Sequence, residues 1–128
     1  MTPEQVLSQP AKVLTREQRE SYFRDGFLLL PRIVPDEWVR RLRAVSDEFV
    51  QKSRAVTKSD PVFDLEPDHR QDAPRLRRVS NPDQHHPAIW EYCTRSVLTD
   101  VVADLLGPDV KFHHAKLNYK WAKGGEEV

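Results

Sequence analysis

The sequence predicts an α+β fold. Three observations carry this expectation. From Pro35 onward, Trp38, Leu42, Val45 and Phe49 are spaced four, three and four apart, one apolar stripe on a long helix. Leu105-Leu106-Gly107-Pro108 is a helix stop, because glycine turns the chain and proline prevents the helix from resuming. The twelve residues Val110–Trp121, VKFHHAKLNYKW, then read as one long strand.

In chain order, residues 1–14 show no period and read as a loosely ordered, flexible arm. Thr15-Arg16-Glu17-Gln18 fits a capping box, so a helix is expected to about Asp25 with Gly26 ending it. Phe27–Leu30, bounded by Gly26 and Pro31, is too short for a helix and reads as a buried strand. Pro35 and the acids Asp36 and Glu37 suit the start of the long helix, whose outer face carries Arg40, Arg41, Arg43, Asp47 and Glu48. From Ser53 to about Pro87 the pattern is irregular and rich in proline and aspartate; within it Leu76–Val79 reads as a short strand. Pro87 opens a helix with Ile89, Trp90 and Cys93. Ser96 caps another with Val97, Val101, Ala103, Leu105 and Leu106 as its apolar positions.

Composition narrows the classes of function. Twenty basic residues balance twenty acidic ones, so a nucleic-acid or membrane-surface protein is not expected; both need a basic footprint. The acids around the arginines of the long helix make that face a solvated one. No apolar run is long enough to span a membrane. The single Cys93 forms no internal disulfide, which fits a reducing, cytoplasmic setting.

The five histidines do not form a metal pattern. His113 and His114 are neighbours on the expected strand and would face opposite sides, with His113 partly buried. His85 and His86 precede the helix at Pro87 and are expected to cap it. There is no His-x-Asp, His-x-His or HExxH. No nucleophile elbow or phosphate-cradling glycine loop occurs, and Gly124-Gly125 is an isolated pair. The carboxylates Asp60 and Asp64 read as part of a solvated loop.

The last strand is more specific. One face carries Val110, Phe112, His114, Lys116, Asn118 and Lys120; the other carries Lys111, His113, Ala115, Leu117, Tyr119 and Trp121. The second face becomes apolar and suits burial. Lys116 and Asn118, flanked by His114 and Lys120, suit a carboxylate or phosphate ligand; they equally suit a solvent-facing edge guarded by lysine. Both readings stay open at this point.

Three stretches in this order resemble the N-terminal part of the phytanoyl-CoA dioxygenase family: LTREQRESYFRDGFLLLPRIVPDEWVRRLR, RLRRVSNPDQHHPAIWEY and VLTDVVADLLGPDVKFHHAKLNYKW. The resemblance implies a double-stranded β-helix (jelly-roll) fold, of which residues 15–128 would be the N-terminal helices and first strands, with the barrel incomplete. It implies iron(II) and 2-oxoglutarate as cofactors of the parent enzyme, and hydroxylation or another oxidation of a small organic substrate. In that family iron is held by His-x-Asp and a later His. No histidine of this sequence matches those ligands, so the expectation is a chain cut before the metal motif and inactive alone. By the same resemblance Lys116 and Arg78 would face 2-oxoglutarate, with Asn118 on the same face. The alternative is a stand-alone interaction module derived from that fold, self-associating through the exposed strand.

Overall fold

The computed structural model describes residues 1–122; Gly124-Gly125 and the end of the expected 15–128 domain lie outside the described residues. The fold is mixed helix and strand. Its elements are α1 (Pro3–Ser8), α2 (Arg16–Asp25), α3 (Asp36–Ser53), β1 (Phe63–Leu65), β2 (Leu76–Ser80), α4 (Pro82–His85), α5 (Pro87–Arg95), α6 (Val97–Leu106) and β3 (Lys116–Asn118). They fall into two compact units, residues 1–36 with 91–112, and residues 37–90 with the segment from His113.

The first unit is helical. Residues 1–14, expected as a loose arm, carry α1 instead. Thr2 and Gln5 form a reciprocal capping box there, and Val6 is buried. Thr15 and Gln18 cap α2 as their spacing predicts, and Gly26 closes it in the left-handed conformation. Ser96 caps α6 through the amide of Leu98. Gly107 ends α6 with φ 111° and ψ 165°, a positive φ but not the left-handed helical turn expected of it.

A buried polar node holds these pieces. The carboxylate of Asp104 on α6 accepts the backbone N–H groups of Lys12, Val13 and Leu14, each at 2.8 Å. Arg19 on α2 donates from Nε to the Asp104 carbonyl at 2.8 Å, and from its terminal nitrogens to the carbonyls of Gln9 and Val6. Both residues are 3% exposed. A buried charge is tolerable only when its hydrogen-bonding capacity is filled, as it is here.

Phe27–Leu30 is not a strand. The segment makes no ladder, and Phe27 and Leu29 are 68% and 78% exposed. An extended apolar run becomes a strand only where another edge accepts its backbone bonds, and no described strand pairs with it.

The second unit is built on a three-stranded antiparallel sheet in the order β1-β2-β3. The stripe of α3 is borne out: Val45 and Phe49 are buried, Trp38 and Leu42 half-buried, and Arg40, Arg41, Arg43, Asp47 and Glu48 exposed. Phe49 meets Phe63 and the His86 ring edge-on, with centroids 6.3 and 6.1 Å apart. Leu76, Val79 and Pro82 are also fully buried. The expected strand at Leu76–Val79 forms. Its partner β1 has only three residues and gives no periodic signal. His86 caps α5 as expected, with Nδ1 accepting the Ala88 amide at 3.1 Å.

The long strand expected over Val110–Trp121 shrinks to Lys116–Asn118. The alternation of faces is nevertheless right from Ala115 on: Ala115, Leu117, Tyr119 and Trp121 are half-buried, while Lys116, Asn118 and Lys120 are exposed. Polar tips fix the inner residues. Tyr119 Oη donates to the Ser46 carbonyl at 3.2 Å and accepts the Ser46 hydroxyl, and Trp121 Nε1 donates to the Leu76 carbonyl at 2.7 Å. Burial, offset in part by the Ser46 hydrogen bond, raises the Tyr119 phenol above its ordinary value, with the Asp47 charge adding to the rise. Among the described residues no helix is long and apolar enough to cross a membrane.

Candidate functional site

The register of the sheet decides which side chains share a face. Phe63 lies opposite Val79, and Val79 opposite Leu117, which makes an apolar row toward α3. Asp64 lies opposite Arg78, and Arg78 opposite Asn118; Ser80 lies opposite Lys116. Cross-strand partners project to the same side. Arg78, Asn118 and Lys116, which lie 38 or more residues from β2 to β3 in sequence, therefore share one face.

A β-bulge modifies this face. Leu65 pairs with Leu76 while Asp64 pairs with Arg78, so Arg77 is the extra residue. A bulge breaks the alternation locally, so neighbouring side chains can turn the same way. Leu76 and Val79 are both buried, three apart, and both arginines reach Asp64. Arg77 Nη2 lies 2.9 Å from Oδ1 and Arg78 Nη2 3.2 Å from Oδ2. The three side chains are 21–26% exposed. Burial pushes the Asp64 carboxyl up, but the Arg77 hydrogen bond and charge, the Ser59 hydroxyl and the Arg78 charge together hold it below its ordinary value. Two guanidiniums thus converge on the Asp64 carboxylate.

The expected site residues divide clearly. Lys116 and Asn118 share a face and are exposed, and Arg78 is brought directly beside Asn118. Asp64 is corrected from a solvated loop residue to an ion-paired strand residue. Asp60 is structural: its Oδ1 accepts the amides of Val62 and Phe63 at 2.8 and 2.7 Å. Arg77 went unnoticed, because only the bulge turns it toward Asp64. His113 and His114 also depart from expectation. They lie outside β3, both are exposed, and their Nδ1 atoms are 2.7 Å apart rather than on opposite faces. A dipeptide off the ladder loses the strict alternation of a strand.

The donor set on the β2–β3 face fits a carboxylate: a guanidinium held in orientation, an amide and an ammonium. Iron does not fit what is present. Among the described residues no three His, Cys, Asp or Glu side chains gather as a ligand group. A non-haem iron centre of the oxygenase type needs two imidazoles and a carboxylate on one side of the metal.

No family model matches the chain, and no solved structure matches it. Among curated proteins it is similar to one described as a probable alpha-ketoglutarate-dependent hypophosphite dioxygenase of Stutzerimonas stutzeri, with 22% identity over 108 residues. That match covers 84% of this chain but 38% of the relative, so the chain spans well under half of the relative's length. Alpha-ketoglutarate is 2-oxoglutarate, and this distant similarity supports an origin among the 2-oxoglutarate-dependent dioxygenases.

Proposed function

We propose that this chain is the N-terminal portion of an iron(II)/2-oxoglutarate-dependent oxygenase of the phytanoyl-CoA dioxygenase type. The three-stranded sheet would be the start of its double-stranded β-helix. The observation that carries the reading is the register that sets Arg78 beside Asn118 and places Lys116 on the same face, a carboxylate-binding set on a chain similar to a 2-oxoglutarate-dependent enzyme. The part of these residues is to bind and orient the co-substrate. Arg78, steadied by Asp64, and Lys116 would take its carboxylate oxygens, and Asn118 would supply an amide donor. No step through the metal is assigned to these residues, since they do not hold its ligands; the chain alone would be inactive. The relative's named substrate, hypophosphite, extends the expected substrate from small organic molecules to small molecules generally. The single cysteine is in keeping with a reducing, cytoplasmic setting for the oxygenase proposed here.

The test is a 2-oxoglutarate titration of co-substrate decarboxylation in the full-length oxygenase. A charge-assisted hydrogen bond to a carboxylate contributes about 1.5–3 kcal/mol. Lys116→Met should raise the 2-oxoglutarate KM roughly ten- to a hundred-fold. Arg78→Ala should raise it less, and Lys120→Met should leave it unchanged. A titration that ignores Lys116→Met and responds to Lys120→Met places the pocket on the wrong residues.

A second reading, an interaction module, is favoured by one observation: β3 is an edge strand of the described sheet. Such an edge offers unpaired backbone groups to another copy. Sedimentation of the 128-residue chain checks it. Mass that rises with concentration, and falls when Asn118→Pro removes a strand amide, supports self-association; a constant monomer mass ends the reading.

A further inference from the structure

Asp64 divides its two carboxylate oxygens between different tasks. Oδ1 accepts from Arg77 Nη2 at 2.9 Å and from the Ser59 hydroxyl at 3.3 Å. Ser59 is itself held, because its Oγ accepts the Leu65 amide at 3.0 Å. The carboxylate is thus fixed at Oδ1 by a residue just before β1 and by the residue that the bulge adds to β2. Its second oxygen, Oδ2, accepts from Arg78 Nη2 at 3.2 Å.

Arg78 depends on that oxygen. A guanidinium carries five N–H donors in a rigid fork. Among the described residues, the bond to Asp64 is the one hydrogen bond of the Arg78 side chain. The register sets Asp64 on one side of Arg78 and Asn118 on the other, a row of three across the sheet. A long, rotamer-rich side chain with a single tether takes its orientation from that tether. A carboxylate that simply consumed Arg78 would take it through two parallel bonds. Asp64 takes one nitrogen only, and its other oxygen is engaged elsewhere.

We propose that Asp64 is a positioning residue: locked by Arg77 and Ser59, it holds the Arg78 guanidinium in the orientation that receives a carboxylate of 2-oxoglutarate. The assignment rests on the oxygenase reading above and extends it, giving the bulge and its ion pairs a part in co-substrate binding through Arg78. A well-supported ligand-binding side chain loses affinity when its support is removed, even though the support never touches the ligand. The opposite role, a resident carboxylate that competes with the co-substrate for Arg78, predicts the opposite sign.

The experiment is 2-oxoglutarate titration of the full-length oxygenase carrying Asp64→Asn, Arg78→Ala or both. Asn keeps the shape and one acceptor oxygen but not the charge. Asp64→Asn should raise the 2-oxoglutarate KM about three- to tenfold, with the effect falling on KM rather than kcat. In the Arg78→Ala background the same change should add less than about twofold, because no guanidinium is left to hold. In the 128-residue chain, nitrogen-15 NMR of the Arg78 Nε–H reads the tether without co-substrate, and Asp64→Asn should speed its exchange with water. If circular dichroism shows that Asp64→Asn does not fold, Ser59→Ala, which removes a support of the same carboxylate, takes its place in the cycle with the same non-additivity expected. A lowered KM makes Asp64 a competitor and overturns the proposal, as do fully additive losses in the double variant or unchanged exchange at Arg78. A KM that responds to Lys116→Met and Arg78→Ala but not to Asp64→Asn overturns the positioning role and leaves the oxygenase reading standing. A KM that ignores all three overturns both.

Discussion

The two units solve the problem of order in different ways. The first, with few buried apolar side chains, is centred on a carboxylate that gathers three backbone amides and an arginine that gathers three carbonyls. The second is centred on Phe49, Leu76 and Val79, with the Arg77–Asp64–Arg78 cluster carried on a small sheet. Polar anchoring is directional, so it fixes a turn such as Lys12–Leu14 that has no periodic structure of its own. Apolar packing is not directional, so it needs the ladder and register of a sheet to become specific. A short sequence with a modest apolar fraction can use both.

The largest expected effect lies in the apolar unit. Phe49 is 1% exposed and contacts two other rings. Phe49→Ala should destabilise by about 3–5 kcal/mol through lost burial and the cavity left behind. Denaturant unfolding at neutral and acidic pH checks this, and the loss should be the same at both. A loss that shrinks in acid would mean that the apolar core and the charges do not act separately.

The polar unit should behave in the opposite way. Burial pushes the Asp104 carboxyl up, but the amides of Leu14, Val13 and Lys12 and the Arg19 charge outweigh it and hold the group below its ordinary value. The folded state thus binds its proton more weakly than the unfolded chain does. The resulting stabilisation is fully present above the ordinary carboxylate value and is lost as pH falls from there through the lowered folded-state value. Asp104→Asn should cost about 2–3 kcal/mol at neutral pH. It should cost progressively less in acid, where the native carboxylate is itself protonated. Hydrogen exchange of the amides of residues 12–14 reports the same node. Faster exchange in the variant is expected, and unchanged exchange would remove Asp104 from its anchoring role.

Legibility from sequence follows the range of the interaction. Caps and helix stripes are local, and Thr15 with Gln18, Ser96, Gly26 and the Trp38–Phe49 stripe all appear where the spacing puts them. Strands are not local. Phe27–Leu30 has the composition of a strand and no partner; Phe63–Leu65 has little strand signal and a partner in β2. The node of Asp104 joins residues 90 to 92 apart in sequence, which no window can see. The candidate site is half legible for the same reason. A period of two places Lys116 and Asn118 together, but only the register brings Arg78 and Asp64 beside them, and only the bulge adds Arg77.

The smallest effect tests where local and non-local order meet. Thr15 Oγ1 accepts the Gln18 amide at 3.2 Å, and Gln18 Oε1 accepts the Thr15 amide at 2.9 Å. Both bonds are exposed, so water replaces part of what is lost, and Thr15→Ala should cost about 1 kcal/mol. Thr15→Ser should cost little, since it keeps the acceptor. The adjacent Leu14 amide is bound to Asp104 at 2.8 Å, so the chain enters the cap from an anchored turn. If that anchoring sets the direction in which Thr15 meets the helix, the cap should contribute less once the anchor is weakened. A double-mutant cycle between Thr15→Ala and Asp104→Asn measures this directly. A coupling above roughly 0.5 kcal/mol makes the turn and the cap one cooperative element. Simple additivity makes the cap a purely local device that would work on any helix carrying the same four residues.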